Sequence, residues 1–502
     1  MSNGRIAICL LAVTTLACQF LTKTLEAPAT QLPATAAPAT PSYAPTEKTS
    51  ILQALLSQNG PWIVFSGSDG LYAANLDGSA ATKVFDLAPY LKLDPTPYIK
   101  LSSIARTGGR FAIITANDYT GTYGLTLHII HLPDGKEEKT IPLTGPQSEP
   151  APNFPLDDPR RYPLQDYGTG QWSADGTQLA FEAGIDGDSA DLYLYSTAKG
   201  SIRRITSGSA QDYAPNWSPD GKYIVHFGTD SWGTGAGYHM VGVWATLISK
   251  DSTYDLYTPD SGGEDVLGWL DDQTVILYSF FIHCSTENIR AVNVSTRKKT
   301  PLWKGEFNPG QIAFDPAGGA FVLQTDDFSS YNDCPQDGQS AGGYLVTRDG
   351  TAKKISDSTR GFPAWSAEAG VFFYPKGEVF AAVRPDGTSL TTPAELDISP
   401  VVAPDGKAYV WQNAKGGIDL FLNGTTQTVT NLQPAAPNSP LDLTGYSESA
   451  LPSMIWNQDS TGFVFTSGQE LYAAQAEKKF APVAVATMSP GNIENLLFRV
   501  SP

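Results

Sequence analysis

Short apolar runs alternating with polar residues recur along the chain from about residue 61 onward. Asp191-Leu192-Tyr193-Leu194-Tyr195-Ser196 alternates strictly, and Tyr223-Ile224-Val225-His226-Phe227 is built of β-branched and aromatic residues. A period of two over four to eight residues is that of a half-buried strand. Pro and Gly interrupt almost every longer stretch, which excludes a helical bundle. The pattern therefore predicts an all-β body of short strands joined by tight turns. One segment breaks it. Ile6 to Ala17 is a continuous apolar run at the N-terminus, too short to cross ~30 Å of hydrocarbon as a helix and of the length of a secretory signal.

The strands come in cassettes. Asn216-Trp217-Ser218-Pro219-Asp220-Gly221-Lys222-Tyr223-Ile224-Val225 is matched by Gln171-Trp172-Ser173-Ala174-Asp175-Gly176-Thr177-Gln178-Leu179-Ala180. Weaker copies begin near Trp269, Phe314, Trp365, Val402 and Trp456, and Arg106–Phe111 is a degenerate earlier one. In each, an aromatic or apolar residue ends one strand, an Asp/Gly turn follows, and a β-branched strand leaves it; Asp bonds local amides while Gly accepts positive φ. Repetition at this period predicts four-stranded blades stacked around an axis. The expected fold is a single all-β propeller of about eight blades (seven to nine). The unit near Ile63-Val64-Phe65 lacks a leading strand, and Asn492–Val500 has no unit of its own. The C-terminal strand is therefore expected to complete the first blade and close the ring, which removes exposed edges.

Trp-Ser-Pro-Asp-Gly-Lys followed by an Ile/Val/Phe strand resembles the TolB-type β-propeller repeat, found in the periplasmic Tol-system protein and in the propeller domains of prolyl-oligopeptidase-like peptidases. The resemblance covers most of residues 61–502 and is best at Trp172 and Trp217. Catalysis does not follow from it, because no helical α/β region that could hold a nucleophile elbow is expected after the propeller.

The apolar N-terminal run ends in Thr15-Leu16-Ala17-Cys18, which resembles the lipobox of bacterial lipoproteins, although that family prefers Leu where Thr15 stands. The resemblance implies cleavage before Cys18 and lipidation of its thiol, and two acyl chains suffice for stable attachment. Residues 26–47 are almost only Ala, Pro and Thr, an extended stalk. The expected organisation is a signal at 1–17, an anchor and stalk at 18–48 and the propeller at 49–502. The expected location is outside the cytoplasmic membrane, held there by lipid alone.

Composition narrows the partners. A formal charge of −18 and a pI near 4.7 repel phosphate backbones, so no nucleic acid is expected. Beyond Cys18 the mature chain has only Cys284 and Cys334, which follow the second strand of adjacent units and are expected to pair as a disulfide in an oxidising compartment. The array Trp172, Trp217, Trp269, Trp365 and Trp456 is expected to be interblade core.

Candidate binding residues sit in the connections after the second strand, which are long in four consecutive units: Asp186 and Asp188; Asp230, Trp232, Tyr238 and His239; the segment 283–287; and Asp326, Phe328 and Tyr331. In a propeller these connections share one face, a plausible ligand or partner rim. Asp186, Asp188 and Asp191 cluster oxygens as Ca²⁺ requires, but the EF-hand pattern fails, with Thr197 where its bidentate Glu belongs. The histidines show no His-Glu-x-x-His spacing; His226 and His239 could meet across a hairpin, yet two ligands do not define a zinc site. No metal, cofactor or catalytic residue is expected. The function expected is that of a monomeric, non-enzymatic interaction module of the cell envelope, binding a protein, peptide or glycan. The alternative is an extracellular carbohydrate-active hydrolase or lyase working through carboxylates at the channel mouth, and an envelope assembly component is a third reading by fold analogy alone.

Overall fold

Turn chemistry starts each cassette. In the best-matching pair the Ser173 and Ser218 hydroxyls donate to Asp175 and Asp220 (2.7 and 2.8 Å) and accept the amides of Gln178 and Tyr223 (both 3.0 Å). The same carboxylates accept the amides of Thr177 and Lys222 at 3.1 Å. Gly176 and Gly221 take φ of 65° and 70°, a region that penalises a Cβ. The hydrogen bonds of the turn are thus closed within the cassette, and they fix the direction of the strand that leaves it.

The computed structural model describes residues 56–502 except 68, 92–98, 118–123, 145–159, 161–163, 165–169, 188, 232–237, 259–262, 281–288, 304–311, 326–339, 359–361, 368, 393–395, 397–399, 435–453, 458, 469 and 488–496; positions 91, 231, 238, 239, 280, 487 and 497 are described by backbone only. Cys18 and the stalk lie outside these residues.

The strands form nine four-stranded antiparallel sheets. Eight run in chain order: blade 2 (99–142), blade 3 (171–204), blade 4 (211–257), blade 5 (263–303), blade 6 (312–356), blade 7 (364–390), blade 8 (401–430) and blade 9 (454–487). Blade 1 combines residues 62–86 with Leu497–Val500. Its inner strand pairs Trp62 with Val500, Ile63 with Arg499, Val64 with Phe498 and Phe65 with Leu497. The C-terminal strand therefore completes the first blade as expected. Nine blades is the upper bound of the expected range: the degenerate copy around Arg106–Phe111 is a full blade.

The apolar core is divided the way a ring requires. Nine clusters of buried residues each join two consecutive blades, from Val64 with Ile113 (blades 1 and 2) round to Val464 with Ile63 (blades 9 and 1). No blade buries both faces by itself; each supplies half of two cores.

The cassette tryptophans lie in these seams. Trp172, Trp217, Trp269 and Trp456 are buried, and Trp365 is half-buried against the blade 6–7 core. Three indoles reach back to the inner strand of the preceding blade: Trp217 Nε1 donates to Gln171 O (2.9 Å), Trp269 Nε1 to Asn216 Oδ1 (2.7 Å) and Trp456 Nε1 to Val401 O (3.1 Å). Trp172 and Trp365 fill the corresponding seams of blades 2–3 and 6–7 with Nε1 unbonded among the described residues. In blade 6 Phe314 takes the tryptophan's place, and its ring lies so close over Gly268 that a Cβ there would fall 2.0 Å from Cε1.

Candidate functional site

One end of each blade carries the start of the inner strand, the end of the second, the start of the third and the end of the outer strand. The long connections between second and third strands emerge here in blades 2 to 6, one blade more than expected, between strands Arg110–Thr115 and Thr126–His131, Gln178–Ala183 and Asp191–Ser196, Tyr223–Ser231 and Tyr238–Leu247, Thr274–Phe280 and Ile289–Asn293, and Phe321–Thr325 and Gly342–Val346.

The structure places the expected rim residues unevenly. Asp186 accepts the Tyr193 hydroxyl at 3.2 Å. Burial, reinforced by the Asp186 charge, pushes the Tyr193 phenol up to about 12. Asp230 is exposed on the second strand of blade 4 and lies opposite His239 in register, with Ser231 opposite Tyr238. The hairpin thus brings Asp230, Tyr238 and His239 to one corner of the rim. His226 does not join them: it pairs with Trp244, four positions below Asp230. Asp188, Trp232, Asp326, Phe328, Tyr331, Cys284 and Cys334 lie outside the described residues.

Asp191 is not a cation ligand in waiting. It is buried, and its Oδ2 accepts the Arg204 guanidinium at 2.5 Å and the Ser189 hydroxyl at 2.9 Å. Burial raises its pKa despite that guanidinium, so the Arg supplies the countercharge that a metal would otherwise bring. Among the described residues no three His, Cys, Asp or Glu side chains converge on a common point.

Beneath the long connections lies a buried polar band that sequence reasoning missed. At the start of the inner strand of blade 5, Glu264 accepts the Ser279 hydroxyl (2.8 Å), the Tyr257 hydroxyl (2.9 Å) and the Arg290 guanidinium. Arg290 also donates to Ser279 (2.9 Å) and to the Tyr257 oxygen (2.6 Å), and Lys299 Nζ sits 3.6 Å from the centre of the Tyr257 ring. Burial and then the Glu264 charge hold the Tyr257 phenol far above its ordinary range. In blade 3 Glu182 accepts the amide of Ala214, which bulges out of the inner strand of blade 4 with φ of 52°. Within blade 4, Asp212 lies 3.4 Å from His226 Nδ1; His226 Nε2 meets the Thr246 hydroxyl at 3.0 Å, which meets Thr253 at 2.7 Å, so one chain of polar groups crosses the blade from inner to outer strand. A signal for the band was present in the sequence: Arg290 stands inside the apolar strand Ile289-Arg290-Ala291-Val292, where an unpaired guanidinium would not be tolerated.

No protein-family model matches the chain. A stretch of 55 residues, 11% of the chain, is 44% identical to part of an uncharacterized peptidase, YuxL, of Bacillus subtilis (strain 168), and spans only 8% of that relative's length. Among solved structures the chain is similar to a eukaryotic initiation factor over 89% of its own length and 100% of the other chain, at 13% identity and a TM-score of 0.53. TolB from Acinetobacter baumannii matches over 65% of this chain and 76% of its own, at 14% identity and a TM-score of 0.27. At 13% identity the likeness to the initiation factor is one of fold. The protein is a nine-bladed β-propeller.

Proposed function

We propose that the protein is an exported, lipid-anchored propeller that serves as a non-enzymatic binding module of the cell envelope, taking a protein, peptide or glycan partner on the loop-rich end of blades 3 to 6. The observation that carries this reading is a coincidence of place. Of the buried Asp, Glu, Lys and Arg side chains among the described residues, Glu182, Asp191, Asp212, Glu264, Asp265 and Arg290 lie at the loop-bearing end of blades 3 to 5, and Asp315 alone lies elsewhere. Their hydrogen bonds go to the framework that holds the roots of the long connections. A hydrolase or lyase would need two facing carboxylates poised as acid and base; Asp191 and Glu264 are instead each closed by an arginine.

The test is thermal stabilisation of the purified full-length protein by fractionated envelope extracts and by a glycan panel. A D230A/W232A variant should lose the stabilisation while melting as the parent does alone. Polysaccharide turnover that this variant lacks would establish the enzymatic alternative instead. For the anchor, mass spectrometry of the membrane-extracted protein should find an acylated Cys18 as the first residue, and a mature chain still carrying Met1 would remove that part of the reading.

A further inference from the structure

The nine outer strands form the circumference of the ring, and each presents one row of backbone N–H and C=O groups away from its own blade. Such edges pair with any extended chain unless charge, proline or shortness prevents it. Blades 1 to 6 carry those guards: Lys83 and Asp86, four charges in Lys136–Pro142, Arg203 and Arg204, Asp255, Lys299 with Pro301, and Lys353 with Lys354. The outer strand of blade 7 is two residues long, Ser389–Leu390.

Among the described residues, blades 8 and 9 have neither protection. Thr425–Thr430 (TTQTVT) and Pro482–Thr487 (PVAVAT) are each six residues long and carry no charge; the proline stands only at the first position of the second. Thr425 to Thr428 are exposed, and Val483, at 43% exposure, is one of two large apolar side chains that stand out of the described surface. The two unguarded edges belong to neighbouring blades, joined through the Trp456–Val401 bond. In a chain of charge −18, two adjacent uncharged edges form a gap in an otherwise guarded circumference.

We propose that the outer edge of blades 8 and 9 is a strand-addition site, which takes an extended, uncharged, β-branched segment of a partner protein as a fifth strand. The chemistry of the edge selects this occupant: main-chain groups require an extended backbone, and rows of Thr and Val pair best with β-branched neighbours. A second copy of the chain is a poorer occupant. Two six-residue edges bury far less than the ~1,200 Å² of a stable interface, and both copies carry the same large negative charge.

The probe is an acetylated, amidated decapeptide, Gly-Ser-Thr-Val-Thr-Val-Thr-Val-Ser-Gly, added to the full-length protein and followed by amide hydrogen exchange and by titration. Protection should appear in 425–430 or 482–487 and in no other outer strand. The variants T426K and V483K, which install the guard present on blades 1 to 6, should weaken binding by about tenfold or more each at its own edge with unchanged melting, and a peptide with proline at alternate positions should not bind. Equal binding by the double lysine variant, or no protection of either strand at millimolar peptide, would overturn the proposal. Sedimentation showing a dimer that V483K abolishes would assign the edge to self-association and would likewise overturn it.

Discussion

Closure of the ring by its last strand makes a quantitative claim about Phe498. This side chain and Val500 are buried, Phe498 packs edge-on against Phe111 of blade 2 at 5.3 Å between ring centres, and its strand is the inner strand of blade 1, paired with Trp62 to Phe65. Phe498→Ala removes a buried aromatic at a seam between two blades and should cost about 3–5 kcal/mol. Deleting residues 497–502 should cost more. It also exposes the inner edge of blade 1 to water and releases the bond from Gly109 N to Ser501 O, and the ordering entropy regained by a few residues offsets only part of this.

The choice of assay follows from size. Unfolding entropy scales at about 2 cal/mol/K per residue, so a unit of about 450 residues that melts as one loses only about 1 °C per kcal/mol. Phe498→Ala would then shift the melt by about 4 °C, easily blurred if blades unfold in stages. Urea titration followed by tryptophan fluorescence is the better measure, with Val483→Ala, at an exposed position, as the control expected to leave the midpoint in place. A truncated chain with the parent's midpoint and slope would mean that the ring does not need this strand, and the closure argument would fail.

Three further outcomes follow from the same contacts. Arg290→Met leaves Glu264 buried without its cation and should destabilise by about 3–5 kcal/mol, while the double change with Glu264→Leu should recover most of that loss; denaturant midpoints decide it. Trp217→Phe should cost about 1 kcal/mol more than Trp365→Phe in the same titration, because only the first gives up an indole hydrogen bond across the seam. Acid should unfold the protein through its turns: Asp175, held below its ordinary 3.8 by the Ser173 hydroxyl, and Asp459, held down by Thr461, contribute stability that is full above about pH 4–5 and lost as pH falls through their folded values. Midpoints measured from pH 6 down to 3 should fall, and fall less steeply in an Asp175→Asn/Asp459→Asn variant.

Strands and turns were legible because their causes are local. The Ser-x-Asp-Gly cassette closes its own hydrogen bonds, and alternation such as that of Asp191–Ser196 needs no partner to be recognised. Blade number was less legible. The cassette of blade 2 has Ile104 where six others have Trp or Phe, and Arg106–Phe111 matches the repeat only in degenerate form. The polar band was hidden for the opposite reason. Glu264, Ser279, Arg290 and Tyr257 come from four different strands of two blades, and sequence distance conceals what the ring brings together. The countercharge of Asp191 was hidden on the same ground, since Arg204 arrives from the adjacent strand thirteen residues later.

The band also bears on where function can reside. In a propeller both faces of every blade are consumed by its neighbours, so only the two ends and the circumference remain for binding. Blades 7 to 9 show what the ring itself demands: their second and third strands are joined by as little as residues 377–378, and no buried Asp, Glu, Lys or Arg is found among their described residues. Blades 3 to 5 have both longer connections and charges that cost several kcal/mol each to remove from water, with pairing that at best offsets the penalty. A chain selected for stability alone would have replaced Glu264 and Arg290 by apolar residues of similar volume. Retaining them where the long connections are rooted is intelligible if directional bonds, which fix geometry as apolar contacts do not, are required to hold those connections in one arrangement for a partner. The Arg290→Met/Glu264→Leu variant separates the two roles: it should regain stability and yet lose the partner.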